Sequence, residues 1–175
     1  MRKAGVPQRL DALQGRRDVQ QAAPELVESI THGGRVLALI IPERFRKPGI
    51  HFFTPPDFSQ QLAYMAHPAG KLIAPHVHNP VPRQVHYTQE VLFIRKGKMR
   101  VDFYDTQQCY LRSRILEAGD VILLIEGGHG FEVLEEVEMI EVKQGPYAGE
   151  QDKTRFEGIN GEQARFTLEM AESGE

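Results

Sequence analysis

The chain of 175 residues has a single cysteine, and it lacks any apolar run of membrane-spanning length, any repeat of fixed period and any low-complexity tract. Cys109 has no partner for an internal disulfide, which suits a reducing cytosol and points to a packing residue rather than a nucleophile. Without about 20 consecutive apolar residues, no segment reads as a membrane-spanning helix. Charge of one sign is also scarce. The 21 basic and 24 acidic residues leave a net charge of −3, which indicates neither nucleic acid nor an anionic membrane as a partner. Arg2, Lys3, Arg9, Arg16 and Arg17 cluster near the N-terminus, but no apolar stretch follows them, so this segment reads as a frayed tail and not as a secretion signal. The expectation is a cytoplasmic protein of one domain, since 41% hydrophobic and 26% charged residues are ordinary globular usage and the length suffices for a sizeable core.

What the chain does have is a succession of short strand-like runs. Residues 1–21 are polar and show little periodicity. Pro24 suits the first turn of a short helix, with Leu26, Val27 and Ile30 on one face. Residues 35–41 form an apolar run of strand length, and 45–58 form a connection rich in proline and aromatics. Further strands are predicted over 61–67, 72–78, 90–95, 99–104, 110–116, 121–125, 131–134 and 139–143, divided by Gly-Lys, Ala-Gly-Asp and Gly-Gly turns. Such a pattern predicts an all-β sandwich or barrel, which closes or doubles its sheet to manage edges. The predicted division is an N-terminal tail and short helix over 1–34, a barrel over 35–150 in which 35–58 adds strands or a cover, and an acidic tail over 151–175. After Gly158 that tail fits either a short helix or a strand.

His76 and His78 stand one residue apart, and on a strand that spacing points both imidazoles the same way. Glu90 opens a second predicted strand, and His129, in the run Gly-Gly-His-Gly, precedes a third. Neighbouring strands can therefore bring a carboxylate and a third imidazole to the same point. Three nitrogens and one oxygen suit a divalent transition metal (nickel, iron, manganese or zinc) with positions left open for water or substrate. Isolated histidines are common on surfaces; the argument for a metal is the joint occurrence of all four ligand types in order. With the ligands facing inward, Leu72, Ala74, Leu92, Ile94, Phe131 and Val133 face inward too, lining an apolar cup. Candidates to orient a ligand are Tyr64 or His67, which lie on opposite faces of one strand, together with Arg83 and Tyr104. Glu141 and Lys143 share a face near the end of the last strand, where a surface ion pair accounts for them.

The same residues resemble the cupins. The first cupin motif reads Gly, five residues, His-x-His, a short gap, Glu, six residues, Gly, and Gly70, His76, His78, Glu90 and Gly97 fall in that order with both outer spacings matched. The inner gap is eleven residues, 79–89, where cupins usually have three or four. Gly119-Asp120 and Gly127-Gly128-His129 resemble the second motif, with Ile125 in place of the usual Pro and the Gly-to-His spacing one residue shorter. Together the motifs span residues 62–143, about half of the chain. The resemblance implies a cupin-like jelly-roll β-barrel with a short N-terminal helical or extended extension, and a metal held by His76, His78, Glu90 and His129. It also implies a homodimer, because cupins commonly pair and strand 35–41 would otherwise be a free edge. His86, four residues before Glu90, is a rival ligand; His76 and His78 are preferred because only they form a His-x-His pair, Gln84 standing where a partner of His86 would be.

The activity implied is that of a metal-dependent isomerase, epimerase or dioxygenase acting on a small polar ligand, carbohydrate-derived or a carboxylate, with His86, Tyr64 and Arg83 as catalytic candidates. The alternative is a non-catalytic module that binds a small molecule or sugar. Residues 75–90, 127–132 and 141–147 resemble a subgroup of bacterial cupins associated with surface-carbohydrate biosynthesis, and no helix-turn-helix suggests a one-chain transcription regulator. His86 reads either as a base at the cavity rim or as a solvated loop residue. The loop 79–89, stiffened by Pro80 and Pro82, is expected at the open end of the cup, where Arg83 and His86 would set ligand choice.

Overall fold

In the computed structural model, which describes residues 26–166, eight strands follow one another: β1 (Glu28–His32), β2 (Arg35–Ile41), β3 (Gly49–Phe52), β4 (Ala63–Ala66), β5 (Glu90–Tyr104), β6 (Tyr110–Glu117), β7 (Val121–Leu124) and β8 (Gly128–Lys143). Two 3-10 turns, Gly149–Asp152 and Gly161–Gln163, complete the regular structure among the described residues. The all-β expectation holds: every strand pair is antiparallel, and six strands form one curled sheet, a half-barrel, in the order β1-β2-β7-β5-β6 with β8 also on β5. No helix among the described residues is long and apolar enough to cross a membrane.

The run Val-Leu-Ala-Leu-Ile-Ile of β2 has no polar residue, as a strand covered on both faces requires. Leu37, Ala38, Leu39, Ile40 and Ile41 are all buried. β2 pairs β1 along one side and β7 along the other, so it is not the free edge that the sequence suggested. The helix expected around Leu26, Val27 and Ile30 is also corrected. Residues 28–32 are strand, with Glu28 opposite Ile40 and His32 opposite Arg35, because pairing with an adjacent apolar strand overrides a weak local periodicity. Pro24 and residues 1–21 lie outside the described residues.

Alternating residues along β5 and β7 feed two cores. Leu92, Ile94, Ile122 and Leu124 pack with Ile30, Ile40, Met99, Val101 and Phe103 on one side of the sheet. Val91 and Leu123 pack on the opposite side with Leu39, Ile41, Phe45 and Leu62. Phe53, Phe58 and Tyr64 close over this second core, so of residues 35–58 the first part adds the strand β2 and the rest a cover, which β4 completes as a hairpin with β3.

β5 and β8 form the longest ribbon. The sequence divided each into two strands with turns between, but each runs through, and the interruption is a series of register shifts between Ile94 and Met99. Glu90 lies opposite Lys143 at one end and Phe103 lies opposite His129 at the other, which would set Glu90 and His129 roughly 40 Å apart on a straight ribbon. Their side chains meet at 3.2 Å. The ribbon is therefore folded over at its bulges, where Gly97 adopts φ 80° and the irregular pairing supplies the bend.

Residues 155–166 cover the far end of β5 and β6. Phe156 packs edge-on against Tyr104 at 5.0 Å, the Ile159 amide donates to the Tyr104 hydroxyl at 2.9 Å, and the Ser113 amide donates to the Arg165 carbonyl at 2.8 Å. Of the two forms open to this tail, the described part is a 3-10 turn followed by a single bridge, Ser113 to Phe166. Tyr104→Phe leaves the Ile159 amide without its acceptor, and thermal unfolding should report a loss of about 1 kcal/mol.

Candidate functional site

Glu90 is the first residue of β5 and shares a face with Leu92 and Ile94, so its carboxylate stands at the open end of an apolar stripe. Leu124 of β7 lies across from it on one side and Lys143 of β8 on the other. The Lys143 ammonium sits 3.0 Å from Glu90 Oε1 and 2.7 Å from Asp152 Oδ2, and the Thr88 hydroxyl donates to Asp152 Oδ1 at 2.8 Å. On the opposite side, His129 Nε2 is 3.2 Å from Glu90 Oε2. The hydrogen bond from His129, helped by the one from Lys143 and opposed by burial, holds the Glu90 carboxyl down at about 2. Lys143 is pushed the other way, above its ordinary value, by its bonds to Asp152 and Glu90, and Asp152 is lowered chiefly by Lys143. The mouth thus places two carboxylates and one ammonium beside an imidazole. Lys143 does not form the surface pair with Glu141 that the sequence suggested. The antiparallel register sets it opposite Glu90 instead.

A cleft of about 1050 Å³ runs across this mouth, with Glu90, His129, Lys143 and Asp152 on one wall and His86 and Thr88 on the loop side. A second cavity of about 470 Å³ is bordered by Arg35, Phe58, Gln84 and Tyr87. His86 borders both, so the loop residue expected at the rim does stand there.

The two other histidines are placed differently. The strand predicted over 72–78 does not form, and residues 67–89 carry no strand. Pro68, Pro75, Pro80 and Pro82 explain this, since each removes an amide donor from any ladder and pushes its predecessor toward open, extended backbone. His76 and His78 lie exposed in that segment with ring centroids 5.1 Å apart, and His76 Nδ1 is 3.1 Å from the Ala74 carbonyl. The four expected ligands thus occur as two pairs, Glu90 with His129 and His76 with His78. Among the described residues no three His, Cys, Asp or Glu side chains are gathered as a ligand set. The chemistry of each pair still fits a divalent metal. Lys143 grips only Oε1 of Glu90, which leaves Oε2 toward His129 and gives that carboxylate the kind of outer contact that orients metal ligands.

The remaining candidates divide. Tyr64 is edge-on to Phe45 at 5.0 Å in the outer core, away from the cleft. His67 and Arg83 are exposed, the Arg83 guanidinium donating at 3.5 Å to its own loop's Val81 carbonyl. Tyr104 borders the cleft, but its hydroxyl is taken by the Ile159 amide. Cys109 is exposed in the turn after β5 rather than packed.

Sequence reasoning missed a buried ion pair, Arg100 with Asp102, joined through Nε to Oδ1 at 2.7 Å and Nη2 to Oδ2 at 3.0 Å. Ser113 also donates to Asp102, and Tyr110 bonds Ser113 at 2.7 Å while accepting from the Arg165 amide at 2.7 Å. The available signal was the alternation Met99-Arg100-Val101-Asp102-Phe103, with opposite charges two apart on one strand face.

Compared with family models, with curated proteins and with solved structures, the chain matches none.

Proposed function

We propose that Glu90 and His129, together with His76 and His78, hold one divalent transition metal at the mouth of the half-barrel, and that this metal anchors a small polar ligand, a carboxylate or a carbohydrate-derived molecule, in the adjoining cleft. The observation that supports the reading is the approach of Glu90 and His129 to 3.2 Å from opposite ends of the β5–β8 ribbon. An ionised carboxylate beside an imidazole nitrogen is a donor pair that divalent nickel, iron, manganese and zinc all accept. When bound, such a metal supplies polarisation of a ligand oxygen or activation of dioxygen, which is the chemistry of an isomerase, an epimerase or an oxygenase of the cupin kind. The chain's own contribution is orientation. Lys143 holds the Glu90 carboxylate, and His86 at the rim, with Arg83 further along its loop, offers donors to an anionic or hydroxylated ligand.

A second reading, a module that binds without catalysis, is favoured by the state of the charged groups along the cleft. Lys143 is engaged by Glu90 and Asp152, and His129 by Glu90, so of the four groups Glu90, His129, Lys143 and His86 at the mouth the His86 imidazole is the one left for proton transfer.

Elemental analysis of the purified protein tests the site, with about one metal per chain expected. Glu90→Gln with His129→Ala, and separately His76→Ala with His78→Ala, should each reduce retained metal by tenfold or more, since loss of an outer contact to a ligand alone costs about 10- to 100-fold in affinity. Unchanged stoichiometry in either variant would put the site elsewhere. Oxygen uptake on addition of candidate ligands then separates oxygenation from isomerisation and from binding alone.

A further inference from the structure

We infer that the open edge of β8 receives the extended segment 71–78 of a second copy of this chain, so that each site combines Glu90 and His129 of one copy with His76 and His78 of the other. Only the placing of the histidines rests on the proposed metal site; the exchange of segments stands on separate observations.

The first is an unfilled sheet edge. β8 is 16 residues long and among the described residues pairs β5 alone. A long edge with bare amide and carbonyl groups is a template for another strand. It is also apolar: Phe131, Val133, Ile140 and Val142 are each between 41% and 57% exposed. Phe131 and Val133 alternate with His129 and lie opposite the buried Val101 and Met99, so the wall of the half-barrel is open next to the ligand pair.

The second is the segment itself. Leu72 and Val77 are 82% and 84% exposed and Ile73 is 62% exposed, an arrangement that costs hydrophobic free energy unless another surface covers it. Its hydrogen bonds are local, from the Lys71 amide to the Pro68 carbonyl and between His76 Nδ1 and the Ala74 carbonyl. The segment is exposed along its whole length, anchored behind by β4, which pairs β3, and ahead by buried Gln89, whose carbonyl accepts from the Gln144 amide at 2.9 Å. Laid along an edge with the amide-less Pro75 turned to the outer side, as an edge strand tolerates, it would turn Leu72, Ala74, His76 and His78 to one face.

The third is charge. Residues 58–89 contain no Asp or Glu but include Lys71, Arg83 and four histidines, whereas β8 carries five Glu and one Lys; Glu132, Glu135 and Glu136 meet Arg100, Lys98 and Lys96 of their own chain, which leaves Glu138 and Glu141 to face the arm. The arm and the edge are complementary. Two copies about a twofold axis present both partners twice, so one association covers both arms and both edges.

Light scattering on the full chain should give a dimer. In a Cys109→Ser background, Leu72→Cys protein mixed with Val133→Cys protein and treated with a short bis-maleimide should yield a covalent heterodimer; both positions are exposed, so the variants keep the fold. Co-expressing His76→Ala/His78→Ala chains with Glu90→Gln/His129→Ala chains, on separate tags, should restore metal to about a quarter of the wild-type stoichiometry, because random pairing makes half of the dimers mixed and each mixed dimer has one intact site of two. A monomeric mass overturns the inference. So does a Leu72→Cys/Val133→Cys chain that cross-links only within itself, which would show the segment folding back on its own edge. Wild-type metal binding without rescue or intermolecular cross-link defeats the exchange and leaves the metal reading standing, whereas the cross-link in a metal-free wild type defeats the metal reading and leaves the exchange standing.

Discussion

Replacing Gly97 by alanine is expected to lower the unfolding free energy by about 3 kcal/mol or more, which combines a left-handed backbone with a steric overlap. At φ 80° a Cβ here would enter the Glu136 carbonyl and press on Val137. The neighbour is β8 backbone and not the far end of a flexible side chain, so the overlap is relieved only by a shift of the strand itself. Gly70 is the matching control: its φ is 81°, but a Cβ there meets nothing within 4 Å, so Gly70→Ala should cost only about 1 kcal/mol from backbone conformation. Denaturant titration of the two variants measures the difference. Equal losses would show that the bend tolerates a side chain and that the fold-over of the ribbon has another cause.

Truncating Asp102 to alanine is expected to cost about 3 kcal/mol, because it strands a guanidinium that the fold has already removed from water. The Arg100 side chain is 5% exposed and meets the carboxylate through two parallel hydrogen bonds; the contact with Glu132, itself half exposed, remains as a weaker partner. Arg100→Met together with Asp102→Leu should lose less than Asp102→Ala alone, since no unpaired charge is left behind. A loss below 1 kcal/mol for the single variant, read from the same titration, would mean that Glu132 or water replaces the missing carboxylate.

Elements whose signal is local were legible in the sequence. β2 was bounded at Arg35 and Ile41 by an unbroken apolar run, and β6 and β7 followed from strand residues closed by turn residues. What could not be read depends on pairing between distant segments. The alternation in 72–78 resembles a strand, but Pro75 interrupts its amides and no neighbour among the described residues supplies its ladder. Gly97-Lys98 reads as a hairpin turn because Gly with a polar residue marks both turns and bulges; only the partner strand distinguishes them. Lys143 could be assigned to Glu141 by face, but its pairing with Glu90 is set by the register of strands some 50 residues apart. Arg100 and Asp102 have the period of a solvated face, and they are covered by residues 155–166, which carry little periodicity of their own. Of the candidate ligands, the structure brings Glu90 and His129 together and keeps His76 and His78 as a separate pair.

The β5–β8 ribbon also dictates a timetable. Residues 90–104 are paired along one whole side by residues 128–143, so β5 is synthesised well before the strand that completes it. Contacts of such long sequence separation incur loop-closure entropy before they yield any stabilisation, which places folding in the slow, millisecond-to-second range typical of barrels. During that interval the apolar residues of β5 lie open to other nascent chains. The charged cluster at the bulge, Arg95, Lys96 and Lys98 in the middle of the longest early strand, is where a gatekeeper against such aggregation would be placed.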